Sequence, residues 1–231
     1  MKATAPKPPL PAEARLERIP QFAGAFFEKS VVDMDGLPEI TGPEIAFAGR
    51  SNSGKSSSIN KLAGQTRLAF ASKMPGRTRE LNFFPLRAGG YLVDLPGYGF
   101  ARTPRDKQRV WTGVIEQYFR ERSALRGLVL VMDVRRGTTE LDTQFVEWMD
   151  GLGAGRPRIL WLLNKADKLT QSERMKARNG FRATSGSLVN ERDSVILFSA
   201  HTGLGMKECS TVFNAWLDNP IELENLSNVQ P

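Results

Sequence analysis

Residues 49–56, Gly49-Arg50-Ser51-Asn52-Ser53-Gly54-Lys55-Ser56, fit the spacing G-x-x-x-x-G-K-[ST]. The chemistry open to that pattern is narrow. Glycines let the backbone wrap closely around phosphate, and successive amides at a helix N-terminus attract the anion. Lys55 would bridge the β- and γ-phosphates, and the Ser56 hydroxyl would ligate Mg²⁺. An ordinary Gly/Ser-rich strand-to-helix loop is the alternative, and flanking structure distinguishes the two. Asp94-Leu95-Pro96-Gly97 offers a carboxylate behind a metal-bound water and a pliant Gly97 amide under the γ-phosphate. Asn164-Lys165-Ala166-Asp167 offers a carboxylate that accepts from both guanine N1–H and the exocyclic amine, a donor pair that adenine lacks. Phe198-Ser199-Ala200 would back the base, Ser199 and Ala200 through main-chain amides. Between the first two motifs lie Gly76, Arg77, Thr78, Arg79 and Glu80, a candidate nucleotide-facing segment. There the Thr78 hydroxyl can close on Mg²⁺ and γ-phosphate and open after hydrolysis; by spacing alone it is equally a solvated loop hydroxyl. Lys55, Thr78 and Gly97 are the candidate catalytic residues.

Two further positions bear on rate. Where many GTP-hydrolysing proteins carry a glutamine after the D-x-x-G glycine to orient water, this chain has Tyr98. A phenol cannot copy the amide, so water positioning must come from the backbone, a potassium ion or a partner, and slow hydrolysis is expected. Asn52 is a candidate potassium ligand between the phosphates, with a loop-shaping asparagine as the equal alternative. His201, the one histidine, reads as an exposed loop residue rather than a catalytic one.

The elements that must position these residues alternate along the chain. A strand over 44–48 runs into Gly49, and residues 55–63 read as the helix behind it. Residues 81–86 and 90–94 read as strands joined at Gly89-Gly90. The continuous apolar runs at 128–132 and 159–163, and another at 195–198, have the character of strands covered on both faces. Trp111, Val114, Ile115, Tyr118 and Phe119 share one helical face, as do Cys209, Val212, Phe213, Trp216 and Leu217. This order predicts an α/β fold of the P-loop type: a mostly parallel sheet with helices on both faces and ligands at the carboxyl ends of its strands. Residues 1–21, crowded with Pro6, Pro8, Pro9 and Pro11, read as an extended tail. The globular domain is expected over 22–218, with a polar tail over 219–231.

Composition bounds the rest. Hydrophobic residues make up 40% and charged residues 25%, the range of an ordinary globular domain. The single cysteine, Cys209, allows no intrachain disulfide, and no apolar run approaches the ~18 residues of a membrane span. A cytoplasmic protein, without membrane attachment and monomeric, is the simplest reading.

Taken together these stretches resemble the EngB (YihA/YsxC) family of bacterial ribosome-biogenesis GTPases, within the TRAFAC class of P-loop GTPases. The similarity runs from Pro43-Glu44-Ile45-Ala46-Phe47-Ala48-Gly49-Arg50-Ser51-Asn52 through Pro75-Gly76-Arg77-Thr78 to Leu81-Asn82-Phe83-Phe84 and Val93-Asp94-Leu95-Pro96-Gly97-Tyr98-Gly99. It continues through Asp133-Val134-Arg135 and Lys165-Ala166-Asp167-Lys168-Leu169. Met74, Ser53, Ser58 and Asn164 depart from the usual family residues. The resemblance implies GTP and Mg²⁺ as ligands. It also implies a role in assembling the large ribosomal subunit and a cell-division and septation phenotype on loss. An adaptor at the division septum without ribosome contact is the alternative.

The net charge is +7. Residues 66–80 and 98–109 hold eight basic side chains (Arg67, Lys73, Arg77, Arg79, Arg102, Arg105, Lys107, Arg109) against Glu80 and Asp106, so +6 of the excess sits there. A cationic surface beside the γ-phosphate sensor suits gated binding to ribosomal RNA. If Asn52 holds a monovalent ion, exchanging sodium for potassium at fixed ionic strength should accelerate GTP turnover, and Asn52→Ala should abolish the difference. Equal rates in both salts would leave Asn52 a structural residue.

Overall fold

Strands covered on both faces must send alternate side chains into two separate cores, and the chain does this throughout. A computed structural model describes residues 18–70, 80–98, 113–153 and 155–218. Gly76, Arg77, Thr78, Arg79, Trp111 and the basic group Arg102, Arg105, Lys107 and Arg109 lie outside the described residues.

Seven strands form one sheet: β1 (Lys29–Val31), β2 (Glu44–Gly49), β3 (Leu81–Pro85), β4 (Tyr91–Asp94), β5 (Leu125–Asp133), β6 (Arg158–Asn164) and β7 (Ser194–Leu197). Their spatial order is β1-β3-β4-β2-β5-β6-β7. The β1/β3 and β3/β4 pairs are antiparallel; β4, β2, β5, β6 and β7 run parallel. The helices are α1 (Lys55–Ala63), α2 (Val114–Glu121), α3 (Glu140–Asp150), α4 (Gln171–Ser185) and α5 (Met206–Leu217). On β2, Ala46 and Ala48 face one core while Ile45 and Phe47 face the other. On β5 the split is Leu128, Leu130 and Met132 against Val129 and Val131. The first core is closed by α2, α3 and α4 through Ile115, Tyr118, Phe145, Met149 and Phe181. The second is closed by α1 and α5 through Ile59, Leu62, Cys209, Phe213 and Trp216.

The expected α/β architecture is therefore the observed one, with strand ends differing from expectation by a residue at several places and β5 beginning three residues earlier, at Leu125. The β3–β4 turn does fall at Gly89 and Gly90, both with positive φ (91° and 80°). The packed chain reaches back past Phe22 to Ile19, which is fully buried and whose amide donates to the Leu62 carbonyl. Three elements carried no signal strong enough to be read beforehand: the edge strand β1, and α3 and α4. Both helices open on capping boxes, Thr139/Asp142 and Thr170/Glu173. Among the described residues no helix is long and apolar enough to cross a membrane.

The start of β6, which carries the third motif at its far end, is pinned by one buried carboxylate. Asp193 accepts from the Ile159 amide (3.0 Å), Trp161 Nε1 (3.1 Å), the Asn190 amide (3.1 Å) and the Arg156 guanidinium (2.8 Å). Removing it would strip Arg156 of its close ion pair, leaving Asp150 at 3.7 Å and the Leu188 carbonyl, so Asp193→Ala should cost about 3 kcal/mol. Urea denaturation should register this as a lower midpoint with an unchanged slope.

Candidate functional site

The loop of residues 49–54 leaves the carboxyl end of β2 and opens directly into α1, the context its motif requires. Gly54 stands at the helix N-cap with φ of 94°, and no side chain caps the helix. The first-turn amides of α1 are thus left for an anion. Gly49 and Gly54 are required on steric grounds. A Cβ on Gly49 would lie 2.6 Å from the Val131 carbonyl, and one on Gly54 would overlap Asn164 Nδ2. Asn52 is exposed and adopts φ of 63°, a left-handed conformation that asparagine tolerates better than most residues. The side chains of Ser53 and Ser58 are buried, and their hydroxyls have no partner among the described residues. Arg50 keeps its Nε buried and unpaired likewise, while its backbone pairs with Tyr98.

Lys55 Nζ donates to Asp94 Oδ1 across the mouth of this loop. Burial pushes the Asp94 carboxyl up, with Lys55 opposing the shift. Ser56, in the first turn of α1, and Asp94, at the end of β4, are the hard oxygen donors next to Lys55 in sequence and in contact with it, respectively. Among the described residues no group of three or more His, Cys, Asp or Glu could hold a metal. Such a sparse donor set fits Mg²⁺, which keeps waters and takes phosphate oxygens instead of sitting in an all-protein cage. Leu95 is buried and its amide donates to the Phe47 carbonyl (2.9 Å); Pro96 and Gly97 follow at the loop's edge. A Cβ on Gly97 would meet the Gly49 carbonyl at 3.6 Å and the Ser51 amide at 3.8 Å, ordinary contacts. The fold by itself therefore leaves room for a side chain there. Glu80 lies just before β3.

The third motif does two jobs. Asn164 Nδ2 donates to the Ser53 carbonyl (3.0 Å), and its Oδ1 accepts from the Ala200 amide (3.2 Å). Lys165, with φ of 65°, donates from Nζ to the Asn52 carbonyl (2.6 Å) and to Asp133 Oδ2 (3.0 Å). Both residues therefore grip the phosphate loop from outside. Ala166 is buried and its amide donates to the Phe198 carbonyl (3.0 Å). Asp167 remains half-buried at the rim. Its Oδ1 accepts from the Ser199 hydroxyl (2.7 Å), while Lys168 approaches Oδ2 at 3.4 Å. Partial burial raises this carboxyl, but the Ser199 and Lys168 contacts outweigh it and hold it below the ordinary value.

In the 198–200 segment, the main-chain amides expected to back the base have partners within the protein. The Ser199 amide donates to the Leu204 carbonyl (3.1 Å) and the Ala200 amide to Asn164. The buried Ser199 hydroxyl instead supports Asp167 and accepts from the amides of His201 (3.2 Å) and Thr202 (3.1 Å). His201 itself is exposed.

One residue of the site lay outside the motif reading. The β5/β6 register sets Asp133 beside Asn164, and its carboxylate takes Lys165 along with Arg135 (2.6 Å). The Arg135 guanidinium, then Lys165, hold Asp133 well below the usual carboxylate range against partial burial. An acidic residue ending a continuous apolar run, with Arg135 two positions on, was the available signal.

Fold and site together define a P-loop GTPase. Residues 44–165 match the family model described as 50S ribosome-binding GTPase. The chain is 47% identical over 199 residues to the probable GTP-binding protein EngB of Azoarcus sp. (strain BH72), covering 86% of this chain and 94% of that one. It is 44% identical over 214 residues to the probable GTP-binding protein EngB of Dechloromonas aromatica (strain RCB), covering 92% and 95%. Its fold is similar to a crystal structure of a probable GTP-binding protein engB, with a TM-score of 0.58 at 24% identity over 76% of this chain and all of that one. The chain belongs to the EngB family of GTP-binding proteins.

If Asp167 reads the base, Asp167→Asn turns an acceptor toward guanine N1–H into a donor. GTP binding should weaken by about 1.5–3 kcal/mol, the range for a charged hydrogen bond, while XTP binding improves. Ser199→Ala, which removes the support of Asp167 and the acceptor of the His201 and Thr202 amides, should cost about 1 kcal/mol of GTP binding. A titration in which Asp167→Asn binds GTP like the wild type would remove Asp167 from the base site.

Proposed function

We propose that this chain binds Mg-GTP, hydrolyses it slowly, and uses the γ-phosphate to gate its binding to the large ribosomal subunit during assembly. The observation that carries the reading is the joining of two motifs distant in sequence. Asn164 and Lys165 hold the carbonyls of Ser53 and Asn52, so the base-reading Asp167 and the phosphate loop form one rigid unit. A unit of that kind fits a guanine nucleotide along its length, with Lys55 on the β- and γ-phosphates and Ser56 and Thr78 as metal ligands. Asp94 acts through a metal-bound water, and potassium at Asn52 is the optional further ion. The metal ion, when bound, neutralises charge on the β- and γ-phosphates. Gly97 presents its amide to the γ-phosphate, a close approach that accounts for a glycine where the protein alone would accept a side chain.

The partner rests on other support. The matching family is described as 50S ribosome-binding. Nearly all the net positive charge falls in the segments around Thr78 and after Tyr98. A monomeric, cytoplasmic protein whose loss disturbs assembly, and through it division and septation, accommodates these facts.

Sedimentation with large-subunit particles should show binding with a GTP analogue and weak binding with GDP or no nucleotide. Each basic residue that neutralises a phosphate contributes a salt slope of about −0.7 to −0.9 in log–log form. Replacing Arg102 and Arg105 by alanine should therefore flatten the slope by roughly one to two units and leave nucleotide affinity unchanged. A wild-type slope in the double variant would mark that charge as a solvated face.

A further inference from the structure

Tyr98 is 1% exposed, although it directly follows the D-x-x-G glycine. Its backbone is joined to the phosphate loop from both sides. The Tyr98 amide donates to the Gly49 carbonyl (3.3 Å), and its carbonyl accepts from the Ser51 amide (3.2 Å). Its ring lies nearly parallel to Phe145 of α3, with centroids 4.9 Å apart and 12° between planes. Its hydroxyl donates to Asp142 Oδ1 at 2.8 Å. Asp142 is itself 2% exposed, and its other oxygen accepts the amide (2.9 Å) and hydroxyl (2.6 Å) of Thr139 at the N-cap of α3. Burial, then the Asp142 carboxylate, push the phenol well above its ordinary pKa, so it stays a donor.

One side chain thus ties the residue next to Gly97 to the first turn of α3, through a hydrogen bond to a buried carboxylate. Such a bond is directional and costly to leave unmade. Arg50, Ser51, Arg136 and Asp142 line one cavity, which places Asp142 beside the phosphate loop. Phe145 also packs toward Trp148, with centroids 5.9 Å apart, which extends the contact along the helix.

We propose that the Tyr98–Asp142 bond is a positioning device: it sets the Gly97 amide for the γ-phosphate and makes α3 the element that responds to the nucleotide. Tyr98 is then a positioning residue that holds the peptide chain beside it. This rests on the guanine-nucleotide reading above. A γ-phosphate contact at Gly97 shifts the following residue, and the phenol passes that shift to the α3 N-cap. The bond should therefore matter for the triphosphate and not for the diphosphate.

The test is titration of the full chain with GDP and with a non-hydrolysable GTP analogue. Tyr98→Phe keeps the stacked ring and deletes the donor. It should weaken the analogue about fivefold, the size of one net hydrogen bond, and leave GDP affinity unchanged. Gln144→Ala removes a bond to Glu140 on the same helix and leaves the phenol and its acceptor intact, so it should leave the analogue-to-GDP ratio at the wild-type value. In an Asp142→Ala background, Tyr98→Phe should alter the ratio by less than about twofold, because the acceptor is already gone. Amide hydrogen exchange over residues 140–150 should differ between the analogue and GDP in the wild type and not in Tyr98→Phe. Equal weakening of both nucleotides by Tyr98→Phe, an unchanged ratio, or the same loss in the Asp142→Ala background would overturn the proposal. A wild-type chain that bound neither nucleotide would instead overturn the functional reading beneath it.

Discussion

The interaction on which the site depends is the grip of Asn164 and Lys165 on the outer carbonyls of the phosphate loop. A loop whose amides must converge on an anion has to turn its carbonyls elsewhere, and buried or half-buried carbonyls need donors. Asn164 Nδ2 satisfies Ser53, and Lys165 Nζ satisfies Asn52. The cost of this arrangement is visible in Gly54. The loop passes so close to Asn164 that no side chain fits, and the backbone adopts a left-handed conformation. Two motifs more than a hundred residues apart are in this way one structure.

The parallel sheet makes that grip available. β2 and β6 both flank β5, and the register sets Gly49 beside Val131 and Asp133 beside Asn164. Their carboxyl ends therefore open on the same edge of the sheet, where α/β folds bind ligands. Both ends of β2 are tied down as well. At its start the buried Glu44 accepts from Tyr118 (2.9 Å) and Arg122 (2.5 Å) on α2 and its C-cap. At its end the loop is joined to Tyr98. Strain and charge at the site rest on a scaffold whose interior is nearly all apolar, Asp193 and Glu44 being buried charges with full sets of partners.

Electrostatics divide the carboxylates by role. Asp133 is held ionised by Arg135 and Lys165 and serves as a fixed anchor. Asp167 is held ionised at the rim, with one oxygen supported by Ser199 and the other toward solvent and Lys168. Asp94 is driven the other way by burial and depends on the Lys55 ammonium. A carboxylate in that position gains most from an added cation.

Much of this was legible in the sequence, because phosphate loops, buried parallel strands and amphipathic helices are local patterns. The spacing of Gly49, Gly54, Lys55 and Ser56, the runs at 128–132 and 159–163, and the helical face ending in Trp216 all follow from residue type and period alone. The expectation that Asp167 reads the base likewise rests on residue chemistry. The short edge strand β1 and the helix α4, with little apolar periodicity, gave no comparable signal. What tertiary structure alone decided are the partnerships across the sheet edge. Nothing local says that the Ser199 hydroxyl serves Asp167, or that Asp133 holds Lys165. Nor does the tyrosine after Gly97 announce that it will be buried against Phe145 and bonded to Asp142. Those pairings join residues 32 to 47 positions apart in sequence, and they exist only because the strand register brings their ends side by side.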